Sequence, residues 1–135
     1  MKLPIILILF TLNILGQNAK TENNPEKMIM TSGSQNSRYK TVKIHNINFD
    51  LAVKNKDTVY LQTTDSKFIT KEGIYVGKKL WELPFYIKQN LTKEDGWGFF
   101  YNLPSGWSIG FCEGKTCTEN YPKDDSAVKW IFKRK

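Results

Sequence analysis

The sequence predicts an α+β domain: an antiparallel β-sheet with one short helix packed on a face. Three observations predict it. Apolar side chains alternate with polar ones along most of the chain after residue 41, as in Val59-x-Leu61 and in Trp97, Phe99, Tyr101 and Leu103, the spacing that puts every second side chain on one sheet face. One stretch departs from it, because Leu80, Leu83 and Ile87 recur at helical intervals. Turn-forming residues separate the alternating runs closely enough for hairpins, which gives the order β-β-α-β-β-β. The competing architecture is an all-β, SH3-like barrel.

At the N-terminus, Met1-Lys2 precedes an apolar run over 3–16 and polar Gln17-Asn18-Ala19-Lys20. One cation before a short apolar run is the layout of a secretory signal peptide, expected to span residues 1–19. The run falls short of the roughly 20 apolar residues of a membrane span, so no integral span is expected after cleavage. Residues 20–37 are polar and rich in turn formers, the composition of a flexible leader in which only Met28-Ile29-Met30 can dock. A single domain is expected over 38–135.

Within that domain, Val42 and Ile44 have one parity, and Ile47, Phe49, Leu51 and Val53 the other. The slip at His45-Asn46 predicts a bulge or bend in a strand. Asn55-Lys56-Asp57 is turn chemistry, and Val59, Leu61 and Thr63 complete a hairpin. A short helix is expected near 78–83, with room for a second turn starting at Pro84, since proline removes a donor and disfavours helix at Leu83. The strongest hairpin joins Trp97–Leu103 to Trp107–Phe111 through Pro104-Ser105-Gly106. A polar loop through residues 120–125 leads to a last strand over 127–132.

Cys112 and Cys117 flank Gly114 at a spacing that a tight turn can bring together. In the oxidising compartment implied by export, a disulfide is expected. The spacing is longer than that of a Cys-x-x-Cys redox pair, so the predicted role is structural.

The stretch from Phe68 to Leu83, with Gly73-Ile74-Tyr75-Val76-Gly77 ahead of Lys78-Lys79-Leu80-Trp81-Glu82-Leu83, resembles small exported bacterial domains. In these a short helix precedes an antiparallel sheet, as in periplasmic β-lactamase-inhibitor and outer-membrane-assembly lipoprotein domains. The resemblance implies non-catalytic protein binding through the sheet. It covers about 16 residues and the element order, and the lipid-anchoring cysteine of the lipoproteins is missing. A second set of residues, Asp95-Gly96-Trp97 and Ser105-Gly106-Trp107-Ser108-Ile109-Gly110-Phe111, resembles the glycine- and aromatic-rich strands of bacterial SH3-like barrels, which implies peptide or cell-wall binding.

Little in the sequence points to catalysis. His45 is the single histidine, so any Ser-His or Cys-His chemistry would have to use it, and no nucleophile elbow or phosphate-binding glycine loop is present. Glu94-Asp95 and Asp124-Asp125 are adjacent pairs in polar stretches rather than carboxylates facing each other across a cleft. No metal ligand set and no cofactor are predicted, and no catalytic residue is nominated. A small cell-wall or glycan hydrolase is the enzymatic rival.

The aromatic density is the unusual feature. Nine of the 18 aromatic residues fall within 81–111. Both parities of a strand cannot be buried against one helix, so Phe100 is expected at the surface with Tyr86. The candidate binding residues are Tyr86, Phe100 and Trp107, and an exposed aromatic patch beside lysines marks a binding surface. The formal charge of +7 is spread along the chain. Together with export this predicts a monomer, secreted or periplasmic, that meets an envelope or extracellular protein or glycan and no nucleic acid.

Overall fold

In the computed structural model, which describes residues 27–135, two tight hairpins open the sheet. Strand β2, Gln35–Ile44, turns through His45 and Asn46 into β3, Ile47–Lys54. Strand β3 turns through Asn55 and Lys56 into β4, Asp57–Thr63. All four turn residues have positive φ, between 51° and 69°, as the two-residue type I′ hairpin requires at both central positions. Asparagine tolerates that region at low cost.

The parity slip at His45-Asn46 is therefore a hairpin and not a bulge. With Ile44 opposite Ile47 and Val42 opposite Phe49, residues of opposite parity share one face. A two-residue turn reverses the chain and makes this swap obligatory.

The remaining strands are β1, Met28–Ser32; β5, Thr92–Glu94; β6, Gly98–Asn102; β7, Ser108–Phe111; and β8, Trp130–Arg134. All pair antiparallel, in the order β1-β2-β3-β4-β8-β7-β6-β5, as a half-barrel of eight strands. The last strand to form in sequence thus lies in the middle and joins two meanders. The expected β6–β7 hairpin is present, closed where the Leu103 N–H donates to the Trp107 carbonyl at 2.8 Å. The final strand lies a few residues later than 127–132, because Ala127 makes only an isolated bridge to Lys79.

Helix is scarce. A 3₁₀ turn, Leu80–Glu82, and a five-residue helix α1, Phe85–Gln89, stand where a helix over 78–83 was expected. Leu83 is extended, at φ −96° and ψ 158°, the conformation that the following Pro84 imposes. With so little helix the all-β description fits as well as α+β.

One face of the sheet carries the main core. Phe49, Leu51, Leu61, Phe99, Ile109, Phe111 and Ile131 project from it. The long connection between β4 and β5 supplies Phe68, Ile74, Leu80, Leu83 and Ile87 as its cover. The Phe68 ring meets Phe49 and Trp107 edge-on, with centroids 5.5 and 4.8 Å apart, a geometry that adds to simple area burial.

Part of the other face is also covered. Ala52, Tyr60, Trp97, Phe100 and Phe132 form a second cluster, with Ile29 of β1 packed against it. Strand β1 is held there by polar contacts from the far end of the sheet. Trp97 Nε1 donates to the Met30 carbonyl at 3.2 Å, and Arg134 Nη1 donates to the Thr31 carbonyl at 3.2 Å. The Gly33 N–H donates to Glu94 Oε2 at 2.9 Å, and Glu94 also accepts from Arg134 Nη1 and Nη2 at 3.1 and 2.8 Å. The guanidinium lies 4.7 Å from the Trp97 ring centroid and 5.0 Å from that of Phe100. One arginine on a central strand thereby ties both ends of the sheet together.

Residues 28–37, expected to belong to a flexible leader, instead form β1 and the start of β2. Their polar composition hides the fact that they are held by backbone pairing and by one apolar side chain, Ile29, over an aromatic face. The signal-peptide expectation for 1–19 and the leader up to residue 26 lie outside the described residues.

Candidate functional site

The segment from Lys79 to Gln89 is anchored from below. Leu80, Leu83 and Ile87 are buried in the main core, which leaves the intervening positions to point away. Its backbone is pinned as well. Leu80 N–H donates to the Ser126 carbonyl at 2.8 Å and Trp81 N–H to the Asp124 carbonyl at 3.0 Å. Glu82 folds back to accept the Lys79 N–H at 2.9 Å, and its own N–H donates to the Lys79 carbonyl at 3.0 Å, which fixes the turn. The neighbouring segment 121–126 runs alongside: the Tyr121 hydroxyl donates to the Lys88 carbonyl, and Lys88 pairs with Asp124.

The result is a fixed ledge of outward aromatics. Trp81 is 66% exposed, Phe85 69%, Tyr86 53% and Tyr121 47%. Tyr86 leans on Tyr101, with centroids 6.0 Å apart, and the Tyr121 ring sits edge-on to buried Phe99 at 5.2 Å. Isolated exposed apolar side chains are ordinary, but four large exposed rings on two adjoining segments are a concentration of the kind that marks a contact surface.

Of the predicted binding residues, only Tyr86 lies here. Trp107 is fully buried in the main core, beneath the Lys133 ammonium 4.8 Å from its ring; burial lowers that amine's pKa. Phe100 is buried on the opposite face against Phe132, centroids 5.8 Å apart. The expectation that Phe100 is exposed is corrected: both strand parities are buried because β1 returns over the second face. The structure does not bring the three residues together.

Trp81, Phe85 and Tyr121 were missed. A signal existed for the first two, since the buried spacing 80, 83, 87 leaves 81, 85 and 86 on the other side of any helical turn. Nothing local marks Tyr121, which reaches the ledge through tertiary contact.

The candidate acids and the histidine are dispersed. Glu94 is committed to Arg134, whose hydrogen bonds hold its carboxyl below the usual range. Asp95 is exposed beside Lys93, and His45 sits on a hairpin turn. Among the described residues, no group of three His, Cys, Asp or Glu side chains could hold a metal ion, and no helix is long and apolar enough to cross a membrane. A cavity of about 410 Å³, lined by Thr31, Ser32, Glu94 and Arg134 among others, lies at the arginine clasp. Burial of the Tyr60 phenol on the second face pushes its pKa up.

Cys112 and Cys117 are bonded to each other, with Cα atoms 4.0 Å apart. The loop between them turns at Gly114, φ 79°, where the Cys117 N–H donates to the Gly114 carbonyl at 3.2 Å.

The chain shares its fold with the uncharacterized protein YfeY from Escherichia coli. The crystal structure of that protein superposes with a TM-score of 0.59 at 18% sequence identity, over 90% of this chain and 86% of the other. The likeness is one of fold. No family model matches the sequence, and no curated protein matches it.

Proposed function

We propose that the protein is an exported, monomeric, non-catalytic binding domain of the bacterial envelope, which contacts its partner through the ledge of Trp81, Phe85, Tyr86 and Tyr121. The observation that carries this reading is the ledge itself: four large aromatic side chains held outward by a backbone fixed to the neighbouring loop. Rings fixed in this way lose little conformational entropy on association, the cost that usually offsets contact energy. Export is supported by the signal-like sequence of residues 1–19 and by the disulfide.

The sequence resemblance to periplasmic inhibitor and assembly-lipoprotein domains supports binding rather than catalysis, yet it implies contact through the sheet. Here the large aromatic side chains of both sheet faces are buried, which favours the ledge, where such rings are exposed. The engagement of Glu94 with Arg134 and of Asp124 with Lys88 favours binding over a glycan hydrolase, which needs two carboxyls free to face a substrate.

The test is retention on isolated envelope material. Wild-type protein should co-sediment with it, and Trp81→Ala with Phe85→Ala should cut the bound fraction about tenfold, with an unchanged circular dichroism spectrum and melting temperature. Equal retention of wild type and double variant removes the ledge as the binding surface.

A further inference from the structure

We infer that the surface met by the ledge is an anionic lipid bilayer, on which the domain lies without spanning it. This rests on the reading of the ledge as the binding surface. The first argument is the chemistry of the rings. Tryptophan and tyrosine have an apolar body and one polar atom, and such side chains settle at headgroup level, where one end is apolar and the other wet. Trp81, Tyr86 and Tyr121 are of this kind, and Phe85 adds a wholly apolar ring.

The second argument is charge. Lys78, Lys79, Lys88 and Lys123 lie on or beside the two segments of the ledge, against Glu82, Asp124 and Asp125. Lys88 and Asp124 are spent on each other, which leaves Lys78, Lys79 and Lys123 against Glu82 and Asp125, a local excess of one positive charge. Over the whole chain the balance is +7, and the positive residues are distributed rather than gathered in one patch. A small acidic partner would need a local cluster. An extended anionic plane instead sums the attraction of every cation within about 10 Å of it, the screening length at moderate ionic strength.

The third argument is shape. The 410 Å³ cavity lies at the Arg134 clasp and includes none of the four ledge aromatics, so that cavity cannot serve the ledge by enclosing a ligand. Rings presented on pinned backbone can enter the headgroup boundary of a bilayer to a depth of roughly 5–10 Å without a conformational change.

The experiment uses the whole chain and two kinds of vesicle, one of phosphatidylcholine alone and one with half phosphatidylglycerol. Trp81 is far more exposed than buried Trp97 and Trp107, so its fluorescence reports insertion. Wild-type protein should partition at least tenfold better onto the anionic vesicles, with a blue shift and quenching by brominated acyl chains. Binding should fall in about 1 M salt, where the screening length drops to about 3 Å. Trp81→Ala should abolish the blue shift, Phe85→Ala should reduce partitioning severalfold, and Lys79→Glu with Lys123→Glu should reduce it further. Because the apolar segment 3–16 can bind lipid on its own, partition onto each vesicle is read as the difference between wild type and the ledge variants, which share that segment.

Equal partition onto the two vesicles, or anionic binding that the ledge variants leave unchanged, overturns the inference. If vesicles are ignored while lipid-free envelope material still binds in a ledge-dependent way, the partner is protein or glycan; the lipid inference then fails and the binding reading stands. If neither surface shows ledge-dependent binding, both fail.

Discussion

Trp97, Phe100 and Phe132 lie beneath strand β1, whereas Trp81, Phe85, Tyr86 and Tyr121 face outward from the segments around α1. The two groups have similar chemistry and similar density. What separates them is whether another part of the chain returns across them. Over the second sheet face a five-residue strand does, carrying Ile29 and fastened by Glu94 and Arg134. Over the ledge the nearest segment, 121–126, runs alongside and adds Tyr121 to the patch instead of covering it. An aromatic run therefore becomes core or surface according to a distant contact.

The sharpest way to test that contrast is truncation in both regions. Phe132→Ala removes a fully buried ring from the second face and should cost roughly 3–5 kcal/mol in denaturant unfolding, the range for large aromatic truncations in cores. Trp81→Ala removes a larger ring from the ledge and should change stability by about 0.5 kcal/mol or less. A ledge substitution as costly as the core one would mean that the ledge belongs to the core.

A second test probes how closely the covered face is fitted. A methyl group on Gly110 would lie 2.5–2.7 Å from three atoms of the Trp130 indole, and one on Gly98 would lie 2.6 Å from the same ring. These glycines make a flat seat for the indole. Gly110→Ala should destabilise by about 1–3 kcal/mol, the usual cost of overpacking, and should shift the near-ultraviolet circular dichroism of the tryptophans.

Reduction of the Cys112–Cys117 bond is expected to have a smaller effect. The loop it closes is five residues long in sequence separation, for which chain entropy gives about 2 kcal/mol. The residues between the two cysteines carry none of the ledge rings, so reduction should lower the melting temperature while leaving ledge-dependent binding intact. Loss of binding on reduction would show that the loop helps to position the ledge.

How much of this was legible in the sequence follows from where the information sits. The β6–β7 hairpin was readable because alternation and the Pro-Ser-Gly turn are both local. The cysteine pair was readable for the same reason. The His45-Asn46 hairpin was visible as a parity slip but read as a bulge, since two residues of left-handed backbone leave only a faint compositional mark. Strand β1 was legible only as the dockable Met28-Ile29-Met30 within an expected flexible leader. Its one docked apolar side chain, Ile29, gains meaning only from Trp97, Phe100 and Phe132, which lie about 70–100 residues further along. The misplacement of Phe100 follows directly, because its burial depends on that strand. For the ledge, Tyr86 was found and Trp107 was mistaken for surface, since one period-2 strand looks the same whichever face is covered.

The smallest effect concerns the clasp, and its pH dependence has a definite sign. Hydrogen bonds from Arg134 hold the Glu94 carboxyl below its ordinary value, and the Gly33 N–H adds to this. A group whose folded pKa is depressed contributes stability above its unfolded pKa and loses it as pH falls through the folded value. The contribution should therefore be complete above about pH 4.3, the ordinary glutamate value, and should disappear below it. Both partners are about a quarter exposed, so water screens the pair and the stabilisation is modest, on the order of 1 kcal/mol. Glu94→Gln should flatten the fall in melting temperature between pH 5 and pH 3 relative to wild type. In the same window, the protection of the β1 amides relative to the intrinsic exchange rate at each pH should fall in the wild type, because β1 is held by the Arg134 and Glu94 contacts, while protection near Trp81 should not respond. If protection in the two regions falls together, acid loosens the whole domain, and the clasp is not what closes the second face.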